Sequence, residues 1–413
     1  MFKRSDIAGF ALLVVPIIAV SLYIPFASSN DLFATWMAGV MFDAGQFDQI
    51  YNTSEGSFAM LAPPSWAAIA AEHVPRMTEL YPYLYPPLWA ALASLTASWD
   101  FETIAKTTLY LNITLIMGTI ALAYRSAHHT LSLPVFVATA LPLVLVTLIG
   151  LTALWGGQPQ ILVGFLIMLS IERAQRGALI AAGIAMALAA ALKLYPALFA
   201  LFFLAMGQRR AFVSFAVAGA SLAALSIATA GWPLHVIFLK NIGQISDTVL
   251  ITRGTLNPEA TLAQLFFGDH LRQVFATETS GGGANWSILT KTTLWSLTSK
   301  LALVALLAGL WLQFRSKGAA MWPAAVTLLS MMTPVAWVYY FIPTAAFAPL
   351  LMHRLGVPRG ALIILAFFAA QTFLTTAFYP RDNPLLLIDQ MVRTAGMAGL
   401  GLVFWITARK APT

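Results

Sequence analysis

Along the 413 residues, apolar runs alternate with short polar breaks in a pattern that predicts a chain of membrane-crossing helices. Runs near 7–27, 103–124, 132–150, 210–230, 294–314, 360–378 and 387–407 each reach the roughly 20 residues that an α-helix needs to cross a bilayer. Shorter apolar runs near 158–172, 177–191, 194–206, 319–334 and 337–352 bring the expected number of crossings to about twelve. The first run follows Lys3 and Arg4 and is longer than a usual signal-peptide core, so it reads as a retained anchor. Pro86 to Ser98 is apolar but would be only roughly 20 Å long as a helix, and is expected to re-enter rather than cross. A competing threading makes it a second crossing and breaks 131–157 at Pro142 and Gly150.

Two long polar stretches, 28–85 and 231–293, interrupt this pattern and fall on the same face, so chemistry is to be sought there. The first carries Leu32, Phe33, Trp36, Met37, Val40 and Met41 at helical spacing, which predicts an amphipathic helix along the membrane interface. The second carries Gly281, Gly282 and Gly283. These form a flexible link rather than a phosphate loop, since no strand precedes them and no Gly-Lys-Ser/Thr follows. No internal repeat of fixed period is present, and the chain reads as one membrane-embedded domain over 1–413.

Charge tests the threading, because short cytoplasmic loops collect Lys and Arg. With the N-terminus inside, the inner segments hold Lys3, Arg4, Arg125, Arg173, Arg176, Arg209, Arg210, Arg315, Lys317, Arg354, Arg359, Arg409 and Lys410 against only Asp6 and Glu172. Both termini are then cytoplasmic, and both long polar stretches are extracytoplasmic. Composition agrees: 59% of residues are hydrophobic, 9% are charged and the mean hydropathy is +0.79. Soluble domains carry roughly 25% charged residues, so a water-exposed globule is excluded, as are disorder, collagen and nucleic-acid modules. The net charge of +7 reflects the inner basic residues rather than a polyanionic partner. With no cysteine, disulfides, thiol catalysis and thiolate metal sites are excluded.

Asp31 heads the amphipathic segment directly after the first apolar run. It can be a helix cap, or a carboxylate whose proton affinity is raised by apolar surroundings into the range of a general base. Lys193 interrupts the apolar stretch from Ala178 to Met206, where it either snorkels or holds a lipid-linked phosphate. Gln158 and Gln160, after Gly156-Gly157, suit sugar hydroxyls or a polar turn equally. Tyr85, and Trp337 with Tyr339 and Tyr340, belong to aromatic clusters that read as an interfacial belt or as sugar contacts. Arg253 and Arg381 are loop arginines able to grip phosphate or simply to be solvated. His73, His128, His129, His235, His270 and His353 form no HExxH pair. Asp43, Asp48 and Glu55 show no DxD spacing, so metal-independent chemistry is expected.

Four stretches, in order, together resemble the polytopic membrane glycosyltransferases of family 87, relatives of polyprenol-phosphate-mannose-dependent mannosyltransferases. They are Asn30-Asp31-Leu32 through Trp36-Met37-Ala38-Gly39 to Tyr51; Tyr85-Pro86-Pro87-Leu88; Gly157-Gln158-Pro159-Gln160 followed by Gly183 to Lys193-Leu194-Tyr195-Pro196; and Thr333-Pro334-Val335-Ala336-Trp337. The resemblance implies an all-α, GT-C-type fold in the bacterial inner membrane and a polyprenyl-phosphate-linked sugar donor, mannose first. It also implies a lipid or glycan acceptor, no cofactor and no nucleic acid, and inversion at the anomeric carbon with Asp31 as general base. Lys193, Arg253 and Arg381 would face the donor phosphate. One departure is that Thr333 and Tyr339 stand where the family often has serine and histidine, which leaves the sugar open. The rival reading is a secondary transporter or lipid-linked-sugar flippase, against which stand the missing repeat and the gathering of polar residues at one face.

Overall fold

The computed structural model describes residues 4–19, 22, 29–52, 58–74, 77, 79–127, 129–252, 254–275, 285–372 and 385–408. Its first half is helical: α1 (Arg4–Ala19), α2 (Asn30–Asp43), α3 (Trp66–His73), α4 (Pro87–Ala93), α5 (Phe101–Arg125), α6 (Leu133–Leu145), α7 (Leu148–Gly156), α8 (Gln160–Gln175), α9 (Leu179–Leu192), α10 (Ala197–Ala205) and α11 (Arg209–Ser246). Then come β1 (Thr248–Ile251), α12 (Pro258–Phe266), β2 (Arg272–Phe275), β3 (Asn285–Thr290), α13 (Thr293–Lys317) and α14 (Trp322–Met331). The chain closes with α15 (Ile342–Phe347), α16 (Leu350–Leu355), α17 (Val357–Gln371) and α18 (Leu385–Thr407).

Among the described residues, three segments are long and apolar enough to cross a membrane: Phe101–Arg125, Arg209–Ser246 and the run Thr293–Met331. A fourth is formed if α6 and α7, bent by 62°, count as one span. Most of the other expected runs are shorter apolar helices among the described residues, Ile7–Ala19, Leu179–Leu192, Val338–Phe347 and Val357–Gln371 among them. Gly177, Gly207 and Gly356, all at positive φ, and Pro196 separate these runs into short helices: α8, α9, α10 and α17 have 9 to 16 residues and α15 and α16 six each. The segment 132–150 is interrupted at Val146 and Thr147, where the Thr147 hydroxyl caps the new helix at Ile149 N, 3.2 Å away. Pro87–Thr96 is an apolar segment about 15 Å long, half a bilayer core. Leu294, Leu297, Leu301, Val304 and Leu312 on α13, and Val213, Val217 and Leu225 on α11, are exposed. Such apolar stripes face lipid in a membrane-associated protein.

Helix direction gives the bundle two chemically different ends. At one end Arg125, Arg173 and Arg176 converge on the fully buried side chain of Glu172. Nearby, Arg354 donates to Ala320 O at 2.9 Å and Phe404 O at 3.2 Å. Glu172 lies near the end of α8, and Gln160 begins the same helix, so the two are separated by about 18 Å. At that far end gather the start of α8, the last residue of α9, the start of α2 and the end of α14.

The polar stretches pack as protein. On α2, Phe33, Trp36, Met37 and Met41 are buried in a cluster with Tyr51, Trp66, Phe101 and Phe238, while Leu32 and Val40 are half-buried. The all-α expectation holds apart from a small antiparallel sheet in the second stretch, of order β1-β3-β2. Its register pairs Leu250 with Ile288 and Val274 with Trp286. That face packs on Phe58, Met60 and Val335, whereas Val249, Ile251 and Leu289 meet Ala260 and Ala263 of α12. Gly281, Gly282 and Gly283 lie outside the described residues.

Candidate active site

Asp31 is positioned by a tight contact between the start of α2 and the α7–α8 turn. Ser29 adopts the left-handed conformation, φ 55°, that a residue with a side chain rarely takes, and its N–H donates to Trp155 O at 2.9 Å. Two glycines permit this approach. A Cβ on Gly156 would lie 2.5 Å from Asp31 Oδ2, and one on Gly157 (φ 64°) would lie 2.9 Å from Leu32 Cβ. Asp31 is therefore not the cap of α2, a place Ser29 holds: its carboxylate reaches across to accept a hydrogen bond from Gln158 and lines a cavity of about 180 Å³. Burial pushes its pKa from 3.8 up to about 7, partly offset by the Gln158 hydrogen bond and the charge of Lys193.

Lys193 ends α9 in an extended conformation and lines the same cavity. Its Nζ donates to Tyr340 Oη at 3.2 Å and lies 4.5 Å above the Tyr340 ring, 5.3 Å from that of Tyr85 and 5.5 Å from that of Tyr339. Tyrosine faces attract the ammonium without neutralising it. Tyr195 stacks on Tyr340 at 5.2 Å, and Gln160 Nε2 holds the Tyr195 hydroxyl at 2.8 Å. Trp337 and Tyr339 stack at 5.8 Å with their planes 13° apart.

The structure thus brings Asp31, Lys193, Tyr85, Trp337, Tyr339 and Tyr340 to one cavity. Gln158 is buried and reaches it through Asp31 and through Tyr85, whose hydroxyl donates to Gln158 Oε1 at 3.4 Å. Gln160 is buried behind Tyr195, whose hydroxyl it holds, and is not among the residues that line the cavity. Arg253 and Arg381 lie outside the described residues. Motifs far apart in sequence also meet, as Tyr51 donates to Tyr85 O at 2.7 Å. Among the described residues, no three His, Asp or Glu side chains gather to hold a metal ion.

One supporting residue carried only a helix-start signal in the sequence, as the Asn of Asn257-Pro258-Glu259. Asn257 Oδ1 caps α12 at Glu259 N, 2.8 Å away, while its Nδ2 donates to Pro334 O at 2.6 Å and Thr333 O at 3.2 Å. It thereby grips the cavity wall, which is also zipped to 254–256 by Leu256 N to Ala336 O at 2.7 Å and Val338 N to Gly254 O at 2.8 Å. Aspartate caps helices as well as asparagine but cannot donate to those carbonyls. Asn257→Asp is expected to speed amide exchange at Leu256 and Val338 by about tenfold or more, as loss of a buried hydrogen bond implies, while α12 stays protected. Hydrogen-exchange mass spectrometry checks this.

Comparison with known protein families matches residues 83–338, more than half of the chain, to glycosyltransferase family 87. The matched part includes Tyr85, Gln158, Lys193 and Trp337 but not Asp31. No curated protein matches the chain.

Proposed function

Because the chain belongs to glycosyltransferase family 87, we propose that it moves a sugar, mannose first, from a polyprenyl-phosphate donor to a hydroxyl of a lipid or glycan acceptor. The observation that carries this reading is the pairing of one carboxylate, Asp31, with one cation, Lys193, in a single aromatic cavity. The acceptor hydroxyl gives its proton to Asp31 as its oxygen bonds to the anomeric carbon. The bond from that carbon to the phosphate oxygen breaks, and its electron pair leaves on the polyprenyl phosphate. Attack opposite the leaving group inverts the configuration.

In this reaction Lys193 faces the charge that grows on the departing phosphate, where a prearranged cation in a water-poor site has most effect. Arg253 and Arg381 are further phosphate contacts. Tyr85, Trp337, Tyr339 and Tyr340 bound the sugar, and Gln158 orients the base. The cavity is below the roughly 300–1,000 Å³ of clefts that engulf drug-sized ligands, so it takes a sugar unit and leaves the polyprenyl tail in lipid. The basic ends of the helices set the orientation: they lie in the cytoplasm with both termini, and the cavity opens on the extracytoplasmic side of a bacterial inner membrane.

A strain deleted for this chain is expected to accumulate an envelope lipid or glycan one sugar residue short, and the wild-type chain restores it. Mass spectrometry of extracted envelope lipids and glycans measures this. An unchanged glycan complement, with a lipid-linked sugar trapped on the cytoplasmic leaflet instead, would favour the flippase reading and overturn this one.

A further inference from the structure

The helix α12 belongs to a stretch that its polarity assigns to water, yet its outward edge is apolar. Leu262, Leu265, Phe266 and Phe267 are exposed, Phe266 to 71%, while Ala260 and Ala263 carry the contact with the sheet. Four large apolar side chains within six positions would be an aggregation liability in water.

Two independent ties fix where this edge sits against α13 and α18. At its N-terminal end, Glu259 pairs with the buried Lys291 at 2.6 Å and accepts hydrogen bonds from Trp295 Nε1 at 3.0 Å and from Ser299 Oγ. At its other end, Gln264 hydrogen-bonds Gln390 of α18, and Phe267 packs on Trp295 with ring centroids 5.2 Å apart. Ser299 lies about 9 Å below the start of α13, and Gln390 about 8 Å below the first residue of α18. The edge thus lies beside the first turns of α13 and α18 rather than above them. The α12 edge also continues the exposed stripes of its supports, Leu294 and Leu297 on α13 and Ile388 and Val392 on α18.

We propose that α12 is a membrane foot: its Leu262–Phe267 edge is seated in the phospholipid leaflet on the cavity side, beside the spanning helix α13 and the start of α18. The occupant of this surface is lipid, because the edge is continuous on both flanks with faces that lipid covers. The second long loop is then anchored to the bilayer rather than suspended above it. Asn257, which caps this same helix, carries that anchorage to the cavity wall.

The absence of cysteine makes the test direct, since one introduced cysteine carries one label. Nitroxides are placed at Phe266→Cys and Leu262→Cys in the full chain in phosphatidylglycerol and phosphatidylethanolamine nanodiscs. Leu301→Cys serves as the lipid reference and Asp48→Cys as the aqueous one. The ratio of collision with oxygen to collision with a water-soluble nickel complex is expected to be severalfold higher at 266 and 262 than at 48, approaching that at 301. Nickel accessibility at 266 equal to that at 48 overturns the proposal. Protection from both reagents also overturns it, since protein would then cover the edge. Neither outcome depends on whether the chain transfers sugar.

Discussion

Asp31→Asn is expected to lower sugar transfer by about 10²–10⁴-fold, the usual contribution of a general base, while the protein still inserts and folds. The substitution keeps the shape of the side chain and removes only its ability to take a proton. Linkage gives the sign of the effect on stability. Burial raises the pKa from 3.8 to about 7, so the folded state binds this proton more tightly than the unfolded one. That contribution is fully present below pH 3.8 and is lost as the pH rises through about 7, where the buried charge must be carried. Asparagine never carries it, and the variant is expected to unfold at the same or a higher temperature at neutral pH. In the wild-type enzyme the rate is expected to fall about tenfold per pH unit below about pH 7, because the protonated carboxyl cannot act as base. Transfer measured against pH, beside thermal unfolding of both proteins, checks these outcomes. Full activity in Asp31→Asn ends the assignment, whatever the stability.

What could be seen in the chain before its structure follows the range of the forces involved. The apolar runs are a local property: α5 and α13 follow them closely, and α11 follows its run to Gly231, where the backbone breaks before helix continues to Ser246. Where one helix gives way to the next is set by single residues such as Gly177, Gly207 and Gly356, whose positive φ other residues resist. Twelve apolar runs therefore yielded fewer long helices. Asp31 stands out by position alone, but its burial depends on Gly156, 125 residues away, whose missing Cβ makes room for the carboxylate. The sheet was hidden because Thr248–Ile251 pairs with Ser287–Thr290 across about 40 residues, and two four-residue stretches with only three and two apolar residues inside a polar loop carry no periodic signal. Asn257 was hidden for the same reason, its partners Thr333 and Pro334 being 76 and 77 residues on.

Lys193→Met is expected to act on both partners of the proposed reaction, and this separates it from simple loss of a lysine. The ammonium is the cation among the described residues lining the cavity, and its ring neighbours Tyr85, Tyr339 and Tyr340 remain to pack against the methionine. Loss of charge opposite the leaving phosphate should lower the transfer rate by about 10²–10³-fold and raise the KM for a polyprenyl-phosphate sugar. The second effect falls on the base. The positive charge of Lys193 holds the pKa of Asp31 down against its burial, so without it the carboxyl keeps its proton to higher pH. The acid limb of the rate profile should therefore move upward from about pH 7, and part of the lost activity should return in alkaline buffer. Lys193→Arg keeps the charge and should leave that limb near its wild-type position, even where the larger head fits the tyrosine cage poorly. A raised KM with an unmoved acid limb in Lys193→Met would show that the lysine binds donor without tuning the base. An unchanged KM and rate would remove it from the site altogether.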